Sequence, residues 1–391
     1  MNKDTQSLLE LRKFVAPEFI FGLGARKLVG RYAKNCGARK VLLVTDKFLR
    51  EHTHWIQEMR QLLTAAGLES VLFDQVTPNP RSAEAMEGAK LFQQEHCNAI
   101  VAIGGGSVMD CAKGIGIVSS NGGHVLDFEG VDRILRPMPP LLCLPTTSGT
   151  ASEVSQFAII MAENRRTKIA IVSKAVVPDT ALIDPELTVT MSPELTACTG
   201  LDALTHAIEA YVSNASSPIT DLHALEAIRL IGLSLPTAWA EPNHLVARSH
   251  MLLASLEAGL AFSNAILGAV HAMAHSLGGF LDLPHGECNA ILLAPVIRSN
   301  MEVCPERYQQ IALALQLPVA DLSPQESGHL LCSYIEDLRR RLGVSRTLGD
   351  LGVKKEHLPL LAEHASNDAC LATNPRDLTL EELEAIYEQA L

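Results

Sequence analysis

The residues best equipped for chemistry fall in three short stretches: Asp202 with His206, His271 with His275, and His285 between Pro284 and Gly286. Each of the first two pairs is spaced i, i+4, so on a helix both members project from one face. One carboxylate and four imidazoles thereby lie in otherwise apolar sequence. Polar groups withdrawn from water need compensation, and a divalent metal supplies it. Imidazole and carboxylate donors suit Zn, Fe(II) or Mn, and no thiolate stands in the set to favour a softer site. Any single histidine among the fourteen is ordinarily structural, but five residues from three motifs reverse that expectation. Spacing alone does not say which three of the four histidines bind.

The elements that must position these residues change character along the chain. Up to about residue 190, short apolar runs alternate with helical stretches. Lys40–Asp46, Asn98–Ile103 and Leu141–Leu144 read as buried strands, with amphipathic segments over 48–66 and 82–96 between them. Such alternation implies βαβ units and a parallel sheet covered on both faces. Gln156–Met161 and Lys168–Ser173, separated by a polar turn over 163–166, read as a hairpin near the domain's edge. Beyond Met191 the strand signature stops. Helical periodicity runs over 193–212, 218–240, 244–262, 265–281, 303–315, 325–342 and 378–390. The expectation is an α/β N-terminal dinucleotide-binding domain with a parallel sheet over 1–190 and an all-α metal-binding domain over 191–391, with chemistry in a cleft between them.

A phosphate site is legible after the second strand. Gly104, Gly105 and Gly106 precede Ser107 and Asp110 and open a helix, whose free N–H groups and positive dipole end suit a pyrophosphate. The plain alternative is a tight turn with Ser107 as N-cap and Asp110 at N3. The pattern is neither the Rossmann fingerprint nor a Walker loop. Asp46 closes the first strand, where a carboxylate bonds ribose hydroxyls and disfavours a 2′-phosphate, so NAD is expected over NADP. Its competing role is a helix N-cap. The run Pro145–Glu153, rich in hydroxyls around Gly149, follows a third strand and is able to wrap a nucleotide; the competing reading is an ordinary Ser/Thr-rich surface loop.

Taken together, these segments resemble the iron-containing (group III) alcohol dehydrogenase family, in order along nearly the whole chain. The match includes residues 21–25, 104–107 with Asp110, 145–150 with Glu153, 200–209, 271–275 and 283–286. The resemblance implies a nucleotide domain facing a helical domain, with Fe(II) (Zn being possible) held by Asp202, His206, His271 and His285. It makes His275 a neighbour of the nicotinamide and substrate. For NAD it points to Asp46, Asn79, Gly105, Gly106, Ser107, Thr146, Thr147, Thr150 and Lys168, and for the substrate to Gln156 and Phe262. From the residues alone, Asn79 reads as a turn, Lys168 and Gln156 as strand ends, and Phe262 as core. The implied activity is interconversion of a primary alcohol or small diol with its aldehyde. His275 then either relays the departing proton or orients a ligand. A polyol dehydrogenase, or a lyase resembling dehydroquinate synthase, is the alternative on the same scaffold. The lyase's phosphorylated substrate calls for Lys and Arg at the metal, and none occurs from Ser249 to Ile297.

Composition narrows the partners. A formal net charge of −12 argues against nucleic acid and anionic membranes. No run approaches the roughly 20 apolar residues of a membrane span, and residues 1–6 lack the order of a signal peptide. Nine scattered cysteines without a Cys-x-x-Cys fit a reduced, cytoplasmic setting. His271–His275 lacks the glutamate of a zincin, and Thr147–Gly149 is not a nucleophile elbow. Arg339, Arg340 and Arg341 read as complements to a helix dipole rather than a nucleic-acid patch. The apolar segment 14–21 suggests addition to a neighbour's sheet and hence a homodimer or higher homo-oligomer.

Overall fold

The structure, a computed structural model, describes residues 13–165 and 167–391. The leader reading of residues 1–6, and the Arg166 end of the expected 163–166 turn, lie outside the described residues. The described chain divides into two compact units, one of residues 15–191 and one of residues 192–391 together with Lys13 and Phe14.

In the first unit, six parallel strands form one sheet. They are β1 (Glu18–Phe21), β2 (Lys40–Asp46), β3 (Glu69–Val76), β4 (Ala99–Gly104), β6 (Leu141–Pro145) and β9 (Thr180–Ile183), in the order β1-β9-β6-β4-β2-β3. Alternate residues of the central strands enter two separate cores. Leu42, Val44, Ile100, Ala102, Leu141 and Cys143 pack on one side, and Val41, Leu43, Val101, Ile103, Leu142 and Leu144 on the other. Continuous apolar strands are what a sheet buried on both faces requires. The helices between strands are α1 (Val29–Asn35), α2 (Lys47–His52), α3 (Trp55–Ala65), α4 (Ser82–Gln94) and α5 (Gly106–Asn121). The expected helix over 48–66 is thus two, broken at Thr53, which sits in extended backbone.

Strands β5 (Gly130–Val131), β7 (Phe157–Ala162) and β8 (Thr167–Val172) form a second, three-stranded sheet in which β7 and β8 pair antiparallel. The expected hairpin therefore pairs as read, but outside the main sheet. The segment expected to join a neighbour's sheet supplies β1, an edge strand that pairs on one side with β9 of its own chain.

The second unit is helical: α6 (Pro193–Val212), α7 (Pro218–Ala240), α8 (Leu245–Ala265), α9 (Ala269–Leu281), α10 (His285–Asn300), α11 (Pro305–Ala314), α12 (Pro324–Arg341), α13 (Leu358–Ser366) and α14 (Leu380–Gln389). Proline at the first helical position and a serine or threonine cap start several of them, as at Ser192, Ser217 and Ser323. Helix α8 corrects one expectation. By length and composition it is apolar enough to cross a membrane, yet 67% of its most apolar window is buried inside the protein, as in a core helix. All nine cysteines are free thiols.

Candidate metal centre and nucleotide loop

Helix α6 carries Asp202, His206 and Glu209 at intervals of four and three, so all three occupy one buried face. Helix α9 brings His271 and His275, and α10 opens on His285. The approach of α10 depends on Gly286, where an added Cβ would lie 2.6 Å from the Cys198 carbonyl oxygen. Cys198 is one turn before Asp202 on α6, so this close contact delivers His285 to the carboxylate. Ligand atoms of Asp202, His271 and His285 all lie within 4.8 Å of one another. His206 is close by but outside that trio. Its Nδ1 is 4.0 Å from Asp202 Oδ2, and its ring stacks on both His271 and Phe262 at 4.4 Å. The structure thus gathers three of the four expected ligands tightly and holds the fourth against them.

Electrostatics tie the group together. Burial alone would raise the Asp202 carboxyl, but His206, His271 and His285 hold it well below the usual carboxylate range. Burial would likewise lower His271, yet the neighbouring carboxylates of Asp202 and Glu209 push it up to about 9. Glu209 accepts from His271 Nδ1 at 2.5 Å and from the Val270 backbone N–H at 2.6 Å. A carboxylate only accepts, so Nδ1 carries the hydrogen and Nε2 faces Asp202, 3.7 Å away. Gly268 makes room for this carboxylate: a Cβ there would meet Glu209 Oε1 at 2.9 Å.

Asn289 adds a member that the sequence reading does not single out. Its amide nitrogen lies 2.6 Å from Asp202 Oδ1, 3.1 Å from His271 Nε2 and 3.2 Å from His285 Nε2. Asn289 Oδ1 is buried with no partner among the described residues. With imidazole nitrogens and a carboxylate oxygen converging on one place, the residues fit a divalent cation, which would displace the hydrogens now shared among them. His275 stacks on His285 at 5.3 Å, and its Nδ1–H donates to Asp368 Oδ2 at 2.9 Å. Asp368 and Cys370 form a second potential ligand group with His275. Glu209, Asn289 and Asp368 were not singled out as site residues. Glu209 leaves a sequence signal in its helical phase relative to Asp202, and Asn289 leaves one four residues after His285, whereas Asp368 leaves none.

In the first unit the glycine turn and the hydroxyl loop pack on each other. A Cβ on Gly106 would lie 2.5 Å from Thr150 Oγ1, and one on Gly105 would lie 3.2 Å from Thr147. Thr146 N–H donates to the Gly104 carbonyl at 3.0 Å. The glycines here provide space rather than unusual dihedrals, and their cradle fits a ligand that must approach backbone. The cap differs from the plain reading. Gly105, not Ser107, is the N-cap of α5. Asp110 instead accepts from Ser152 Oγ at 2.6 Å and from the Ile159 N–H at 3.2 Å, holding the hydroxyl loop to the helix. Lys168 on β8 is close enough to Asp110 to favour its charged form. Asp46 does cap α2, accepting from Leu49 N–H at 2.8 Å, and burial raises its carboxyl. Asn79 turns through the left-handed region at φ 55°. Gln156 is buried just before β7, whereas Phe262 lies on α8 against His206.

A parallel-sheet nucleotide fold followed by a helical unit with a histidine–aspartate centre defines a class of oxidoreductases, and comparison with known proteins agrees. Residues 16–185 match the model of iron-containing alcohol dehydrogenase, and residues 196–391 match that of the Fe-containing alcohol dehydrogenase family, C-terminal. The chain is 42% identical over 371 residues to 1,3-propanediol dehydrogenase of Citrobacter freundii, covering 95% of this chain and 96% of that one. It is 38% identical to the NAD-dependent methanol dehydrogenase of Bacillus methanolicus over 97% of this chain and 99% of the other. Among solved structures, a 1,3-propanediol oxidoreductase superposes with a TM-score of 0.95 at 40% identity, covering 98% of this chain and all of its own. The chain belongs to the iron-containing alcohol dehydrogenase family.

Proposed function

We propose that this protein interconverts a primary alcohol or small diol with its aldehyde, using NAD and a divalent metal. The observation that carries the proposal is the convergence of Asp202, His271 and His285 ligand atoms within 4.8 Å, with His206 beside them. These four residues would hold Fe(II), and Zn fits the same donors. When bound, the ion supplies Lewis acidity that acidifies an alcohol and polarises an aldehyde. Glu209 keeps His271 in the tautomer whose Nε2 is a donor to metal, and Asn289 spaces the ligands. His275, its Nδ1–H fixed on Asp368, presents Nε2 as a proton acceptor for the departing hydroxyl proton. Phe262 supplies an apolar wall and Gln156 a polar contact for the substrate.

For NAD, the α5 N-terminus with Gly105, Gly106 and Ser107 receives the pyrophosphate. Thr146, Thr147 and Thr150 close over it, Asp46 bonds the ribose, and Asn79 and Lys168 complete the groove. The naming of a 1,3-propanediol dehydrogenase and an NAD-dependent methanol dehydrogenase among relatives supports small alcohols and this coenzyme. The division into a nucleotide-binding part over 1–190 and a catalytic part over 191–391 belongs to the same proposal. Homodimers complete it: β1 is an edge strand with Phe19 and Phe21 exposed, a surface suited to a second copy. Light scattering should return twice the chain mass, and a Phe19→Lys, Phe21→Lys variant should run as monomer.

The decisive experiment couples metal analysis of the purified protein to NADH absorbance over a panel of short alcohols and diols. No absorbance change with any of them, at full metal loading, would overturn the reading.

A further inference from the structure

The three consecutive arginines that end α12 have no part in the alcohol chemistry, and two of them, Arg339 and Arg340, border a cavity of about 140 Å³ among α10, α12 and the C-terminal end of α14. Arg298 from α10, Arg339, Arg340 and Glu336 from α12, Thr347 and Gln389 contribute its polar lining, and Glu336 is the only carboxylate side chain among the lining residues. Glu336 is committed to Arg298, whose Nη1 donates to Oε1 at 2.7 Å. Arg339 Nη1 donates to the Val344 and Arg346 carbonyl oxygens, both at 2.8 Å. Arg340 Nε donates to the Glu336 carbonyl oxygen at 3.3 Å. Each guanidinium has five N–H donors, so among the described residues these bonds leave Arg298 Nη2, Arg339 Nη2 and both Arg340 terminal nitrogens uncommitted.

The charge is as uneven as the hydrogen bonding. Three guanidinium groups face one carboxylate, a local excess of two positive charges in a chain whose formal net charge is −12. Nearby acids are engaged elsewhere: Asp337 pairs with Arg341 at 2.8 Å, and Glu287 takes a bidentate contact from Arg346 at 2.6 and 2.8 Å. Burial depresses Arg339 below its ordinary value, a cost that a resident anion would offset. Complementing the α12 dipole accounts for a basic last turn, but not for Arg298, which arrives from another helix.

We propose that this cavity binds a small tetrahedral oxyanion of the phosphate class. Guanidinium forks match phosphate oxygens in geometry as well as charge. A cavity of this size accepts several waters, and therefore one phosphate group, but not a dinucleotide. Its lining includes Ala290, the residue following Asn289, so the oxyanion would sit behind the metal centre on the same helix.

Equilibrium dialysis of the metal-loaded protein against labelled inorganic phosphate tests this, at constant ionic strength set with chloride. The expected result is one saturable equivalent per chain, displaced by sulfate and not by acetate. Arg298→Gln and Arg340→Gln, made singly so that folding is spared, should each weaken binding about tenfold, and together abolish it. A Gly106→Val variant should retain it, which separates this site from the phosphate loop. No saturable equivalent in the parent protein would overturn the proposal. So would binding unchanged in both arginine variants, or binding lost only with Gly106→Val. Because the readout is phosphate and not turnover, its failure leaves the alcohol dehydrogenase reading untouched.

Discussion

The metal centre and the glycine turn solve opposite problems. At the metal centre, side chains from α6, α9 and α10 converge, and backbone only has to bring the helices close enough, as it does at Gly286. At the glycine turn, side chains withdraw so that backbone N–H groups and threonine hydroxyls meet the ligand. The first kind of site depends on charge and tautomer, the second on empty volume. Substitutions should therefore fail in different ways in the two places.

The largest effect is expected from Asp202→Ala, which removes the only carboxylate among the proposed ligands. Metal content should fall to background and turnover by about a thousandfold or more, the scale of losing Lewis-acid stabilisation. NADH binding, read by fluorescence, should persist. Gly106→Val is the converse. Its side chain collides with Thr150, so coenzyme affinity should drop about a hundredfold while metal content stays at the parent level. Loss of metal in that variant would break the contrast between the two regions. Glu209→Gln sharpens it from within, because the amide can present its NH₂ rather than accept from His271. Metal affinity should weaken about 10- to 100-fold, the usual cost of losing a ligand's supporting hydrogen bond, with little change in coenzyme binding.

The smallest effect concerns Glu153, a buried carboxyl at the end of the hydroxyl loop whose Oε1 has no partner among the described residues. Burial pushes it up to about 7, opposed by its own backbone contact and by Lys113. A carboxyl raised in the folded state binds more protons there than when unfolded, so stability falls as pH rises from about 4.5 through 7. Glu153→Gln should be more stable than the parent by about 1–2 kcal/mol at pH 8. The two should converge near pH 4, and chemical denaturation at both values checks this.

Much of the architecture was legible because local pattern and tertiary role agree. The run Lys40–Asp46 is apolar on both faces and becomes a central strand, and α6 and α7 begin and end where their caps and periodicity place them. Helix α10 was missed although it carries His285. Gly286 near its start and Pro295 inside it both read as breakers, and packing overrides them. Strands β3 and β9 were missed because neither announces itself next to stronger signals. At the site, motif spacing revealed the residues on shared helix faces. The partners that orient them lie far along the chain: Glu209 is 62 residues from His271, Asn289 is 87 from Asp202, and Asp368 is 93 from His275. Nothing local marks such pairings. The plain alternative puts the cap at Ser107, the better capper by type, whereas Gly105 holds it. The third glycine is already helical, so the helix begins earlier.

Asn289 carries a consequence for how this centre is held together. Its amide nitrogen reaches Asp202, His271 and His285 together, so one side chain on α10 ties donors from three helices. A shorter residue at this position would loosen all three donors at once, including two that lie far from it along the chain.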